Sequence, residues 1–170
     1  MAPLIFFTIM TSAWQWAALI FVIAIMTDLL DGYLARLWQQ TSALGGFLDH
    51  CSDAVLVATI LLAEALLGWI PFILPILVLC AFTQYALDSK ALSGQVLRTS
   101  MLGRYNGILY FVLAATPLLR EMLSLETMPL ETFNLNFLTI EMINIAAYLL
   151  CLSTILSMLD RLITLLRNKS

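Results

Sequence analysis

Residues 28–53 decide how this chain is read. They run Asp28-Leu29-Leu30-Asp31-Gly32-Tyr33-Leu34-Ala35-Arg36, then eight residues, then Gly45-Gly46-Phe47-Leu48-Asp49-His50-Cys51-Ser52-Asp53. Four carboxylates, Asp28, Asp31, Asp49 and Asp53, sit in otherwise apolar sequence. An ionised carboxylate in low dielectric is costly unless it is paired or holds a metal. Inside membrane segments, such residues mark function by default.

The surrounding composition places them in a membrane. Of 170 residues, 62% are hydrophobic and only 11% charged, with a mean hydropathy of +0.97. A soluble chain is about half apolar and about a quarter charged, so the expected class is an all-α integral membrane protein. A net charge of −3, with no basic run or aromatic platform, gives no argument for nucleic acid. Cys51, Cys80 and Cys151 lie far apart without CxxC spacing. They read as small packing residues rather than a disulfide framework or a zinc site. No secretory signal is visible, because the first basic residue is Arg36.

Taken in order, residues 1–10 are apolar but cover only about half a bilayer at 1.5 Å per residue. They are expected to be a stub, or the end of a helix whose upstream part is missing, with a break at Thr11-Ser12. Residues 13–37 form the first complete helix, with Trp14 and Trp16 at one interface and Asp28, Asp31 and Arg36 toward the other end. A polar turn at 38–42 leads to a helix over 43–67, stopped at Gly68. A helix over 69–88 follows, mildly bent at Pro75, then a polar loop over 89–102. A span over 103–120, an acidic loop over 121–135 and a last helix over 136–165 complete the chain. The fold expected is a six-transmembrane-helix bundle with the first helix truncated, in one domain over 1–170.

Orientation follows from the basic residues. If 13–37 runs outside to inside, seven of them (Arg36, Lys90, Arg98, Arg104, Arg161, Arg167 and Lys169) fall inside and Arg120 alone outside. The four aspartates and the basic 90–104 segment then meet at the cytoplasmic face.

Asp28 and Asp31 are three residues apart and Asp49 and Asp53 four apart, so each pair occupies one helical face. The two helices are expected to be antiparallel neighbours, bringing all four carboxylates to one depth. Gly32, Gly45 and Gly46 would let the backbones approach closely. Converging carboxylates raise each other's pKa unless a cation joins them. Mg²⁺ or Mn²⁺ suits an all-oxygen site, and two such ions could clamp the attacking and leaving oxygens of a phosphoryl transfer. Pairing with Arg36 is the structural alternative, but one arginine does not neutralise four aspartates. Arg98, Arg104 and Lys90 could contact phosphate or could simply be inner-face basic residues. His50, Glu64 and Glu141 have no assigned role.

The string D-x2-D-G-x2-A-R-x8-G-x3-D-x3-D resembles the CDP-alcohol phosphatidyltransferase family. Asp28, Asp31, Gly32, Ala35, Arg36, Gly45, Asp49 and Asp53 fill all eight fixed positions. The resemblance implies a six-helix enzyme of phospholipid biosynthesis, usually a homodimer, that replaces the CMP of a CDP-linked lipid with an alcohol. It implies that Asp28, Asp31 and Asp49 are metal ligands. Asp53 would both touch metal and deprotonate the acceptor, whose oxygen attacks the β-phosphorus of CDP-diacylglycerol. Gly32, Ala35, Arg36 and Gly45 would border the CDP-lipid, with Arg98 and Arg104 as phosphate contacts. The setting expected is a bacterial inner membrane.

His50 and Ala54 stand where the phosphatidylglycerophosphate synthases of the family tend to have Pro and Lys. Glycerol 3-phosphate is still the best single reading of the acceptor, with inositol phosphate and an unphosphorylated alcohol left open. Two other readings compete. A membrane prenyltransferase also uses aspartate-rich helices with Mg²⁺, but lacks the Gly-x2-Ala-Arg spacing. A metal or ion transporter would spread polar residues along several spans.

Overall fold

Two of the three left-handed residues among those described, Ser12 and Gly68, show how the helices end. Ser12, at φ +56°, lets Ala13 N–H donate to Thr8 C=O at 2.8 Å and closes the first helix. Gly68, at φ +79°, lets Trp69 N–H donate to Glu64 C=O at 3.1 Å and closes the third. Glycine adopts that conformation at no steric cost. The computed structural model describes residues 1–39, 43–88, 101–125 and 139–167. Among the described residues there are six α-helices and no strand: α1 (Ala2–Met10), α2 (Trp14–Leu37), α3 (Ala43–Leu66), α4 (Ile73–Asp88), α5 (Met101–Leu125) and α6 (Ile140–Arg167).

Two expectations from the sequence are corrected. The fourth helix begins at Ile73 rather than 69. Trp69-Ile70-Pro71 instead form a turn, in which Trp69 C=O accepts from Asn144 Nδ2 at 3.1 Å and Pro71 C=O from Leu74 N–H at 3.1 Å. Pro75 therefore falls in the first turn, where a missing N–H costs nothing, and not at a mid-helix bend. α5 runs through Leu125, so Glu121 is helical rather than in a loop. The apolar periodicity that carries Leu118 and Met122 onto the core continues past Pro117. The polar loops expected over 89–102 and 121–135 lie mostly outside the described residues, Lys90 and Arg98 among them.

α1 packs on α2 and α3, α2 on α5, α3 on α4 and α5, and α6 on α4 and α5. Among the described residues, α2 and α3 have few close backbone contacts and meet through the side chains of Asp28 and Asp49. α1 packs on both of these longer helices and sets its fully buried Ile5 and Ile9 into the core. That core gathers Phe21, Val57, Ile60, Leu61, Leu74, Leu113, Ala114, Leu118, Ala147 and Leu150. The exterior is equally apolar: Leu29, Leu30, Ile76, Val112, Ile145, Leu149 and Leu152 are all exposed. Water would not favour such a surface and a lipid phase would. Among the described residues, three helices are long and apolar enough to cross a membrane, Trp14–Leu37, Gly45–Leu66 and Ile140–Thr164, and a shorter apolar helix covers Ile73–Leu87.

Candidate active site

The carboxylates project from one end of α2 and from the start of α3. Asp28 and Asp53 are partly buried, Asp31 and Asp49 exposed. The Asp28 carboxyl lies within hydrogen-bonding reach of Asp49, with Asp31 and His50 close enough to be felt electrostatically. Asp53 is in turn within electrostatic reach of Asp28 and Asp49. The four acids thus form one neighbourhood across two helices. It is a loose one: among the described residues, no three His, Cys, Asp or Glu side chains are close enough to enclose a metal ion.

The donor chemistry nonetheless fits a hard divalent cation. The ligands on offer are all carboxylate oxygens. Among the described residues, no basic side chain is ion-paired with them; the recorded ion pair, Arg120 with Glu121, involves none of the four. Two ionised carboxyls as close as Asp28 and Asp49 repel, and a cation between them removes that repulsion. The structural alternative, pairing with Arg36, is not formed.

The glycines play a different part from the one expected. A Cβ on Gly32 would meet only the Arg36 side chain, at 3.9 Å, and one on Gly46 would meet nothing within 4 Å. Neither permits a close approach of helices. They leave open space beside the acids instead. Ala35 is partly buried, and Arg36 and Gly45 are exposed, on the same stretch.

Asp53 also faces inward. With His50 it lines a cavity of about 330 Å³ whose other walls come from α4 (Phe82, Gln84, Tyr85), α5 (Arg104, Asn106, Tyr110) and α6 (Thr154, Ser157, Arg161). The Tyr110 and Thr154 hydroxyls, 2.6 Å apart, and Ser153 Oγ donating to Asn106 Oδ1 at 2.7 Å, tie α5 to α6. The Arg161 guanidinium carbon lies 5.1 Å from the Tyr85 ring centre, and the His50 ring meets Tyr85 edge-on at 6.0 Å. Of the expected phosphate contacts, Arg104 is on this wall, and Arg98 lies outside the described residues.

The α6 and α4 contributions were missed from the sequence. Arg161 entered only as an inner-face basic residue. Gln84 and Asn106 are amides inside apolar spans, and that alone could have drawn attention to them.

The family model for CDP-alcohol phosphatidyltransferase matches residues 1–165. The chain belongs to the CDP-alcohol phosphatidyltransferase family. Among curated relatives, it is 49% identical over 61 residues to the CDP-diacylglycerol–glycerol-3-phosphate 3-phosphatidyltransferase of Sodalis glossinidius, covering 32% of this chain and 34% of that one. The same-named protein of Pectobacterium atrosepticum is 52% identical over 54 residues, 31% of this chain and 30% of the relative. That of Blochmanniella floridana is 51% identical over 53, 30% and 28%. The chain thus spans about a third of the length of the curated relatives it matches. No solved structure matches. Members of this phosphatidyltransferase family generally depend on a divalent metal.

Proposed function

We propose that this phosphatidyltransferase-family chain transfers a phosphatidyl group from CDP-diacylglycerol to a small alcohol, with release of CMP, in phospholipid biosynthesis. The observation that carries the reading is the double position of Asp53, in the carboxylate neighbourhood and in the cavity wall. A base there can take a proton from an alcohol in the cavity while the freed oxygen faces a diphosphate beside the acids.

In this account Asp28, Asp31, Asp49 and Asp53 hold Mg²⁺ or Mn²⁺, in two ions. Such ions supply charge neutralisation for the diphosphate and for the departing CMP. Asp53 accepts the acceptor's proton. The oxygen attacks the β-phosphorus, and the bond to CMP breaks. The open space at Gly32 and Gly46, flanked by Ala35, Arg36 and Gly45, admits the nucleotide diphosphate. Arg104 and Arg161, with Arg98 from the adjoining segment, supply positive charge for a phosphate on the acceptor.

The relatives' name makes glycerol 3-phosphate the first acceptor to test. The topology that suits this chemistry is a single-domain, six-helix, multi-pass bundle in a bacterial inner membrane. Its site lies at the cytoplasmic face, where acyl chains stay in lipid while the polar alcohol arrives from water. The positions of Arg104 and Arg161 beside Asp53 support that sidedness under the positive-inside rule. A homodimer is proposed on the family resemblance alone. The prenyltransferase and transporter alternatives gain no support from the family match.

The test is CMP release by the purified protein given CDP-diacylglycerol, Mg²⁺ or Mn²⁺, and a panel of glycerol 3-phosphate, inositol phosphate, glycerol and serine. Release with one acceptor supports the reading. Silence with all four, with the protein folded, overturns it.

A further inference from the structure

Three neutral side chains on the cavity wall each keep a buried polar atom with no hydrogen-bond partner among the described residues: Gln84 Oε1, the Tyr85 hydroxyl and Asn106 Nδ2. Tyr85 is 7% exposed and Asn106 3%. Buried polar groups are nearly always satisfied, so three orphans around one cavity need a reason.

Their orientations are fixed by what the rest of each side chain does. Gln84 Nε2 donates to Met158 C=O at 3.0 Å. A backbone carbonyl only accepts, so the amide is set with its oxygen left over as an acceptor. Asn106 Oδ1 already accepts from Ser153 Oγ, which leaves its N–H₂ as a donor. The Tyr85 ring is packed between Arg161, His50 and Phe82, and its hydroxyl can both donate and accept. One acceptor, one donor and one group that does both complement a hydroxyl-bearing ligand, since each hydroxyl also donates and accepts. Tyr110 and Thr154, on the same wall, satisfy each other; among the buried polar atoms of the described wall residues, those without partners belong to the other three.

The charged neighbours narrow the class further. Arg104 and Arg161 line this cavity and would repel an ammonium-bearing alcohol. Asp53 is the one carboxylate among the described residues lining the cavity.

Resting on the reading of this cavity as the acceptor pocket, we propose that Gln84, Tyr85 and Asn106 are specificity-determining residues that read a second hydroxyl. The acceptor class is then a small polyol phosphate carrying a free hydroxyl besides the one that reacts, and neither a simple alkanol nor an amino alcohol. These groups need break no existing hydrogen bond to do so. A ligand lacking the second hydroxyl would leave them unpartnered, and sites built this way discriminate strongly.

The experiment compares glycerol 3-phosphate with 3-hydroxypropyl phosphate, which lacks only the C2 hydroxyl, in CMP release by the full chain with CDP-diacylglycerol and Mn²⁺. The wild-type protein should favour glycerol 3-phosphate by about 10–100-fold in kcat/KM, the range of one or two hydrogen bonds. Tyr85→Phe, which keeps the ring packing, and Gln84→Met should each lower that preference about tenfold through KM for glycerol 3-phosphate. The KM for CDP-diacylglycerol should stay at the wild-type value. Equal use of both acceptors by the wild-type protein would overturn this proposal and leave the transferase reading standing. So would a wild-type preference retained in both variants. CMP release from neither acceptor would overturn this proposal, and silence with the whole panel of acceptors above would overturn the underlying reading as well.

Discussion

The guanidinium carbon of Arg161 stands 5.1 Å from the centre of the Tyr85 ring, on the wall of the cavity that Asp53 also lines. The aromatic face holds a cation that forms no ion pair among the described residues, so its charge is available to an incoming anion. Arg161→Ala should raise the KM for a phosphorylated acceptor about 10–100-fold, since a hydrogen bond to a charged group is worth about 1.5–3 kcal/mol. Arg161→Lys should recover part of that loss, because it keeps the charge but not the planar fork. Steady-state kinetics with glycerol 3-phosphate decide it, and an unchanged KM in Arg161→Ala would count against the assignment.

Gly32 separates a structural role from a ligand-facing one. A Cβ there meets only the Arg36 side chain at 3.9 Å. Gly32→Ala should therefore leave the fold intact, or stabilise α2 by about 0.5–1 kcal/mol. The KM for CDP-diacylglycerol should nonetheless rise. Thermal unfolding and kinetics on the same preparation check both halves, and a fall in stability would restore the close-packing role expected from the sequence.

Glu64 is fully buried, and neither carboxyl oxygen has a hydrogen-bond partner among the described residues. A buried polar group without a partner costs about 1–3 kcal/mol, so Glu64→Leu should be neutral or stabilising by up to about that amount. CMP release should be unchanged, because Glu64 touches neither the acids nor the cavity. A large loss of thermal stability would mean that Glu64 has a partner beyond the described residues.

Metal dependence has a graded signature. A chelator should abolish CMP release, and Mg²⁺ or Mn²⁺ should restore it. Asp49→Asn removes the carboxylate nearest Asp28. It should shift half-maximal activation to at least about tenfold higher Mn²⁺. An unaltered Mn²⁺ dependence would remove Asp49 from the ligand set.

Much of this was readable in residues 28–53 and in the apolar spacing around them. The two carboxylate pairs, the helices bearing them and the stops at Ser12 and Gly68 follow from local rules that need no partner. The contact pattern was less accessible. The short connection between α2 and α3 makes them neighbours but does not say that α1 packs on both, and Ile5 and Ile9 give no sign in isolation of which helices they meet. The cavity was hidden for a related reason. Its wall is drawn from four helices, and Gln84, Asn106 and Arg161 acquire meaning only when α4, α5 and α6 are set beside Asp53. The roles of Gly32 and Gly46 reversed because a missing side chain marks either a close approach or an open space, and sequence does not distinguish them.

The central claim is that Asp53 joins the acidic neighbourhood to the acceptor cavity as the base. The most direct measurement is a paired assay on Asp53→Asn, of CMP release with glycerol 3-phosphate and of Mn²⁺-dependent CDP-diacylglycerol binding. The account predicts that CMP release falls by at least about 10²-fold, the usual contribution of a positioned base, while the CDP-lipid still binds. Turnover near the wild-type rate in a folded Asp53→Asn protein would contradict it.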